Sequence, residues 1–212
     1  MAAAALMLYA VFLLLALGLR SVVQYRRTGS TGLRIFSATR NPVDALAGAL
    51  IATALVAGVV APALGLFDVL DNVAWLDAAP LQWVGSAVAC AGFVLVLLAQ
   101  FHMGNSWRVG VDQQETTDLV TTGVFSIVRN PIFSAMLLFA FGLALMAPNI
   151  AALFAFASAV LGIELQVRFV EEPYLRERHG ARYAAYAART GRFVPRLRRG
   201  GTDNRQQTTD RA

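Results

Sequence analysis

The chain has no lysine: all 18 of its basic residues are arginine. It also has one cysteine, two histidines and only 15% charged residues. Each shortage excludes something. A soluble domain carries about 25% charged residues, so the polar shell of an ordinary water-soluble fold is missing. A lone thiol, Cys90, cannot make an internal disulfide. Neither a C-x-x-C nor a zinc-ligand spacing occurs, so no metal site is expected, and Cys90 reads as a small packing residue within an apolar run. No G-x-G-x-x-G follows a strand pattern and no G-x-S-x-G is present, which leaves a Rossmann nucleotide site and a hydrolase elbow without support. The net charge is +5, yet the arginines lie between or after long apolar runs with little aromatic interleaving. That pattern speaks for topology and lipid-headgroup charge and against nucleic acid as a partner.

What is present is apolar. Hydrophobic residues make up 57% of the chain, with a mean hydropathy of +0.57. Crossing a bilayer takes about 20 apolar residues in a helix. Four segments meet or nearly meet that length: Ala4–Leu19 extended to Val23, Val43–Phe67, Leu81–Phe101 and Asn149–Val167. A fifth, Ile132–Ala147, is shorter, and Pro148-Asn149 predicts a tight turn joining the last two into a hairpin. In the first segment the positive charge follows the apolar stretch, so it reads as a retained helix and not a signal peptide. Asp44 reads as a cap of the second helix.

Loop charge predicts orientation. Arg20, Arg26, Arg27, Arg34 and Arg40 fall between the first two segments without an acid, whereas Asp68, Asp71 and Asp77 follow the second without a base. The region after Val167 holds Arg168, Arg176, Arg178, Arg182, Arg189, Arg192, Arg196, Arg198 and Arg199. Positive loops stay inside. The expectation is an all-α polytopic protein of about five crossings, with the N-terminus outside. The first loop, the third loop (His102–Pro131) and a C-terminal helical segment face the cytoplasm. One domain over residues 1–199 accounts for this. Residues 200–212 are polar and aperiodic and are expected to be disordered. The arginine-only usage suggests a GC-rich bacterial genome and hence a bacterial plasma membrane.

Ionisable groups at membrane depth face a partner or a cavity. Glu164, Arg168, Glu171 and Glu172 follow at spacings of 4, 7 and 8, which an α-helix places on one face. They form either an i,i+4 salt bridge with the later acids in water, or a polar pocket at the cytoplasmic mouth. Arg129 and Asn130 precede Pro131, a helix-opening proline, and so stand at a helix N-terminus suited to an anionic group; the alternative is a headgroup anchor and a cap. Trp107 suits an interfacial belt as well as a stacking platform. Tyr183 and Tyr186 share a helical face, either on a surface helix or as walls for an aromatic ligand. His179 reads as exposed, and His102 has no second His or Cys beside it.

These pieces come in a particular order. Thr122-Gly123-Val124-Phe125, then Arg129-Asn130-Pro131-Ile132-Phe133-Ser134-Ala135, resembles the G-x-Y and R-H-P-x-Y-x-G elements of the isoprenylcysteine carboxyl methyltransferase and phospholipid methyltransferase families. A helical hairpin and the paired acids Glu171-Glu172 come next. The stretch His179-Gly180-Ala181-Arg182-Tyr183-Ala184-Ala185-Tyr186, with Arg192 and Pro195, is similar to their F-G-x-x-Y-x-x-Y and R-x-x-P ending. The chain departs from the pattern at Asn130 for His, Phe133 for Tyr and Ala135 for Gly. Asn130 cannot titrate near neutrality and Phe133 lacks the hydroxyl.

The resemblance implies a membrane methyltransferase that uses S-adenosylmethionine. The cofactor region would span 102–195, with Gly123, Phe125, Asn130, Phe133, Ala135, Glu171, Glu172, Tyr183 and Tyr186 around the cofactor. It implies Arg129 and Arg168 as catalytic residues addressing a carboxylate, and Glu164, Trp107 and Arg108 on the substrate side. The acceptor would be lipophilic, an isoprenoid or lipid-like molecule entering from the membrane lipids. An already ionised carboxylate needs positioning more than a general base. Two readings of another kind stay open at this point: an NADPH-dependent membrane reductase of the sterol-reductase type, and a non-enzymatic membrane subunit or transporter.

Overall fold

The computed structural model describes residues 1–31, 41–104 and 118–196. Trp107, Arg108, Arg34, Arg40 and the polar tail 200–212 lie outside the described residues. The described residues form six principal helices: α1 Ala2–Thr28, α2 Pro42–Leu66, α3 Ala79–Met103, α4 Pro131–Met146, α5 Ile150–Leu165 and α6 Glu172–Arg189. Among the described residues there is no named strand. The all-α class and the apolar hairpin are as expected. Helices α1, α2, α3 and the continuous α5–α6 rod are long and apolar enough to cross a membrane, and α4 is a shorter apolar helix.

Local chemistry sets the ends. Asn41, not Asp44, caps α2: its side chain accepts from Val43 N at 2.9 Å, with Pro42 opening the first turn. Asp44 sits one turn in, where an acid complements the helix dipole. Asn149 caps α5 by accepting from Ala152 N at 2.9 Å, and its amide donates to the Ala61 carbonyl of α2 at 2.8 Å. The turn residue therefore anchors the hairpin to a third helix. Val73 N donates to Pro148 O at 2.8 Å, so the acid-bearing α2–α3 loop and the α4–α5 turn share one pole. At the other pole, Arg20 near the end of α1 donates to Gly104 O at the end of α3. The chain alternates between an acidic pole and an arginine-rich pole.

In lipid, small residues and interhelical hydrogen bonds do the packing. Helices α3 and α4 approach until backbone meets backbone: Gly142 lies against Ala89 and the Gly85 carbonyl, and Gly92 against Phe139 and the Ala135 carbonyl. Gly162 of α5 fits against Leu50 and Ile51 of α2. Helix α1 contributes Phe12, stacked 4.2 Å from Phe139 and edge-on to Phe93 at 5.6 Å. Such aromatic pairs add about 0.5–1.5 kcal/mol each beyond area burial. The α1 segment Leu13–Leu19 is a π-turn, and within it Ala16 O accepts from the buried Gln100 amide of α3 at 2.9 Å. Tyr9 donates to Leu55 O of α2 at 2.9 Å.

Candidate active site

Helix α5 does not stop at the membrane edge. Residues Gln166–Glu171 form a π-turn, after which the rod continues as the polar helix α6. A π-turn carries an extra residue per turn, so it rotates every residue beyond it about the rod axis. The α-helical expectation that Glu164, Arg168 and Glu172 share a face fails for that reason. Arg168 pairs with Glu164 on an outward face, its side chain 51% exposed, whereas the Glu172 side chain is 4% exposed.

Glu172 is the hub of the arginine pole. Arg192 donates from Nε to Oε1 at 2.7 Å and from Nη2 to Oε2 at 2.8 Å. Arg129 donates from Nη2 to Oε1 at 3.0 Å, and Arg176 reaches Oε2 at 3.5 Å. Burial pushes the Glu172 carboxyl up; the hydrogen bonds from Arg192 and Arg129, with their charges, outweigh it and hold the group below the usual carboxylate range. One carboxylate thus faces three guanidinium groups, and the cluster keeps a positive surplus.

Both terminal nitrogens of Arg129 are engaged. Besides Glu172 it donates to the Ala187 and Thr190 carbonyls, so it ties the start of α4 to the end of α6; its buried Nε has no hydrogen-bond partner. Next to it, the backbone pairs with the C-terminal segment: Arg129 N donates to Gly191 O at 2.8 Å and Asn130 N to Arg192 O at 3.1 Å. The Asn130 side chain does not cap α4; it donates to the same Arg192 carbonyl at 3.2 Å. Ser134 Oγ donates to Phe193 O at 2.7 Å. The R-N-P element and the R-x-x-P ending are therefore the two halves of one clamp.

Tyr183 and Tyr186 do share a face, and that face is packed into protein with Leu119. Their rings meet edge to face at 6.2 Å, and Tyr186 donates to Phe125 O at 2.6 Å. Helix α6 reaches this position after Gly180, whose φ of 47° kinks the helix. Gly123 has φ 59°, and a side chain there would meet the His102 ring, so this turn needs glycine twice over. His102 is held by Leu98 O at 2.8 Å, and His179 is half-buried. Ala135 lies in the α3–α4 core among Gly92 and Phe139, away from the arginine cluster. Phe133 is half-buried, as is Glu171. The structure thus gathers Arg129, Asn130, Phe125, Glu172, Tyr183 and Tyr186 at one pole. Arg168 and Glu164 form a separate outward pair. Sequence reasoning had no role for Arg176, Thr190 or Ser134, and it treated Arg192 only as part of a motif; the signal for Arg192 was its place in R-x-x-P.

Residues 81–182 match the family model described as phospholipid methyltransferase. Protein-S-isoprenylcysteine O-methyltransferase B of Arabidopsis thaliana is 31% identical over 113 residues, covering 52% of this chain and 57% of that protein. The nickel-cobalt-cadmium resistance protein NccN of Alcaligenes xylosoxydans xylosoxydans is 31% identical over 118 residues, covering 54% of this chain and 53% of its own length. The chain spans somewhat over half the length of both. Among solved structures, the eukaryotic intramembrane Ras methyltransferase ICMT (isoprenylcysteine carboxyl methyltransferase) shares the fold with a TM-score of 0.54 at 20% identity, covering 82% of this chain and 58% of that one. The matched segment contains Glu172 and Arg129 but ends before Tyr183, Tyr186 and Arg192, so the clamp that closes on Glu172 is made across its boundary.

Proposed function

We propose that this protein is an integral membrane methyltransferase that moves a methyl group from S-adenosylmethionine to a lipophilic acceptor, an isoprenoid or lipid-like molecule, through a carboxylate of that acceptor. The observation that carries the reading is the arginine pole. In a chain built mostly of apolar helices, one end gathers Arg129, Arg176 and Arg192 around a single buried carboxylate and sets Arg168 outward at the end of α5.

The residues fit the methyl donor by its carboxylate end. The positive surplus over Glu172 favours an anion, and Arg176, largely exposed, is free of the interior. The Glu172 carboxylate, held by arginines, is not available as the counter-charge of a sulfonium; Glu171, half-buried one residue earlier, is placed better for that role. When bound, the donor supplies an activated methyl group. This chain's part would be to hold the acceptor's carboxylate, a role that Arg168 on the outward face could fill, with no proton to remove. Arg129 is a positioning residue: its guanidinium holds the C-terminal clamp and does not reach the substrate. By the excess of arginine, this pole faces the cytoplasm, and a bacterial plasma membrane suits the composition.

Binding of S-adenosylhomocysteine to the purified protein tests the donor. Micromolar affinity in detergent and in lipid is expected, and no binding in either would sink the proposal. In membranes supplied with radiolabelled donor and a lipophilic carboxylate, Arg168→Ala should cut methyl transfer about 100-fold, as expected when an acceptor-positioning group is lost. Donor-product affinity should stay within about twofold, since Arg168 addresses the acceptor and not the donor.

A further inference from the structure

Beyond Gly180, the second arm of α6 leads back to the start of α4. Arg129 donates to the Ala187 and Thr190 carbonyls, and its backbone N–H donates to Gly191 O at 2.8 Å. Pro131 opens the apolar helix α4 directly after Asn130. Residues 187–193 therefore stand at the level where α4 enters hydrocarbon. The arm buries Tyr183, Tyr186 and Thr190 against the protein and leaves Arg182, Ala185 and Arg189 exposed. Helical periodicity sets those exposed residues on a side of their own.

That side is cationic. From residue 181 to residue 196 the chain holds four arginines and no acid. Arg192 is committed to Glu172. Arg182, Arg189 and Arg196 are exposed, and among the described residues none of them meets a carboxylate. Arg196 folds back onto the arm and donates to Ala188 O. Two large aliphatic side chains lie beside these charges: Ile127 is 54% exposed and Val194 is 70% exposed. Both adjoin Gly191. Ile127 precedes Val128, which bridges to Gly191, and the Val194 carbonyl folds back to where a side chain on Gly191 would stand. The clamp that orders this segment thus leaves its two branched aliphatics outside the protein.

An exposed apolar patch rimmed by charge marks a contact surface. An acidic protein would answer the arginines alone. Aliphatic side chains beneath arginines, at the depth where a spanning helix begins, match a lipid leaflet on both counts. We propose that this face is a docking surface for anionic phospholipid. The guanidinium groups of Arg182, Arg189 and Arg196 take lipid phosphates, and Ile127 and Val194 enter the acyl boundary below them. A zwitterionic headgroup brings an ammonium up to the same arginines and is disfavoured; each arginine near an anionic surface is worth about fivefold in binding. Because Arg189 and Arg196 flank Arg192, the contact also steadies the strap that grips Glu172. It holds whatever reaction the arginine pole carries out.

The test places the full chain in nanodiscs of phosphatidylcholine alone or of an equal mixture with phosphatidylglycerol. Native mass spectrometry of protein released from the mixed discs counts the lipids retained. The wild type should retain phosphatidylglycerol in preference. Arg182→Gln combined with Arg189→Gln should lower that preference about fivefold or more, whereas Arg182→Lys combined with Arg189→Lys, which keeps the charge, should hold it within about twofold. Melting temperature checks that both variants fold. A spin label at Val194→Cys, in a Cys90→Ala background, reads depth on a face whose arginines are intact. In the mixed discs it should be reached by oxygen and shielded from a water-soluble nickel chelate. Equal retention of the two lipids by the wild type would overturn the proposal, as would a preference unmoved by the glutamine pair. A label at Val194 open to the chelate in both kinds of disc would also overturn it, and would leave the face to a soluble acidic partner.

Discussion

Arg192 grips Glu172 with two parallel hydrogen bonds, at 2.7 and 2.8 Å, across 20 residues of chain. The second acid of the Glu171-Glu172 pair is thereby joined to the R-x-x-P ending, and Arg129 joins both to the start of α4. Two consequences of this clamp can be measured, and two more predictions follow from the packing of the helices.

Removing the hub leaves buried cations without a counter-charge. Breaking a buried ion pair by deleting one partner costs about 3–5 kcal/mol. Arg192 is partly exposed and can regain water, so Glu172→Ala should destabilise the protein by about 2–4 kcal/mol in denaturant unfolding from detergent. Arg176→Ala, at the most exposed member of the cluster, should cost under about 1 kcal/mol. Equal losses for the two variants would count against a buried hub.

Acid should undo the same clamp. The folded Glu172 carboxyl lies below its ordinary range. Its contribution is therefore present above the unfolded pKa, about 4.3, and is lost as pH falls through the lower folded value. The melting temperature of the wild type should drop on acidification below about pH 4 more steeply than that of Glu172→Gln. Parallel curves for the two proteins would refute the linkage.

Asn149 is fully buried and does two jobs, capping α5 and holding Ala61 O. Loss of an N-cap costs about 0.5–2 kcal/mol, and a broken buried hydrogen bond adds about 1–3 kcal/mol for the group left behind. Asn149→Ala should lower stability by roughly 2–3 kcal/mol. Asn149→Asp keeps the acceptor for the cap but sets a buried carboxylate oxygen against the Ala61 carbonyl, and should cost more than Asn149→Ala.

At Gly142, α4 packs directly on the backbone of α3. A methyl group there meets Ala89 N and the Gly85 carbonyl, both backbone and unable to swing away. Overpacking of this kind costs about 1–3 kcal/mol. Gly142→Ala should be destabilising by that amount in unfolding experiments, whereas Gly18→Ala, with ordinary van der Waals space around it, should be neutral or better.

Much of the fold was legible from hydropathy because the bilayer constrains it so strongly: a long apolar run has no soluble alternative, and α1, α2 and α3 appear within a few residues of their expected bounds. The cap of α2 was misplaced to Asp44 because an acid in a first turn and a true N-cap look alike in sequence, while Asn41-Pro42 carries the geometry. The candidate site was legible as motifs and not as contacts. Gly123, Arg129-Asn130-Pro131, Glu172, Tyr183 and Arg192 stand out as an ordered set. That Arg129 serves Glu172 and two carbonyls, leaving Arg168 outward, depends on how far α6 is rotated, and a π-turn of six residues decides that.

The sequence by itself determined that this is a helical membrane protein with an acidic pole and an arginine pole, because hydrophobicity and charge act on each segment independently of its neighbours. Only the tertiary structure decided which arginines are structural, since a guanidinium reads the same whether it meets solvent, a carbonyl or Glu172. It also decided where small residues seal a helix pair and where they leave an apolar cavity. Alanine and glycine specify how close two helices can come, and the rings of Tyr9, Phe12 and Phe139 specify how close they do.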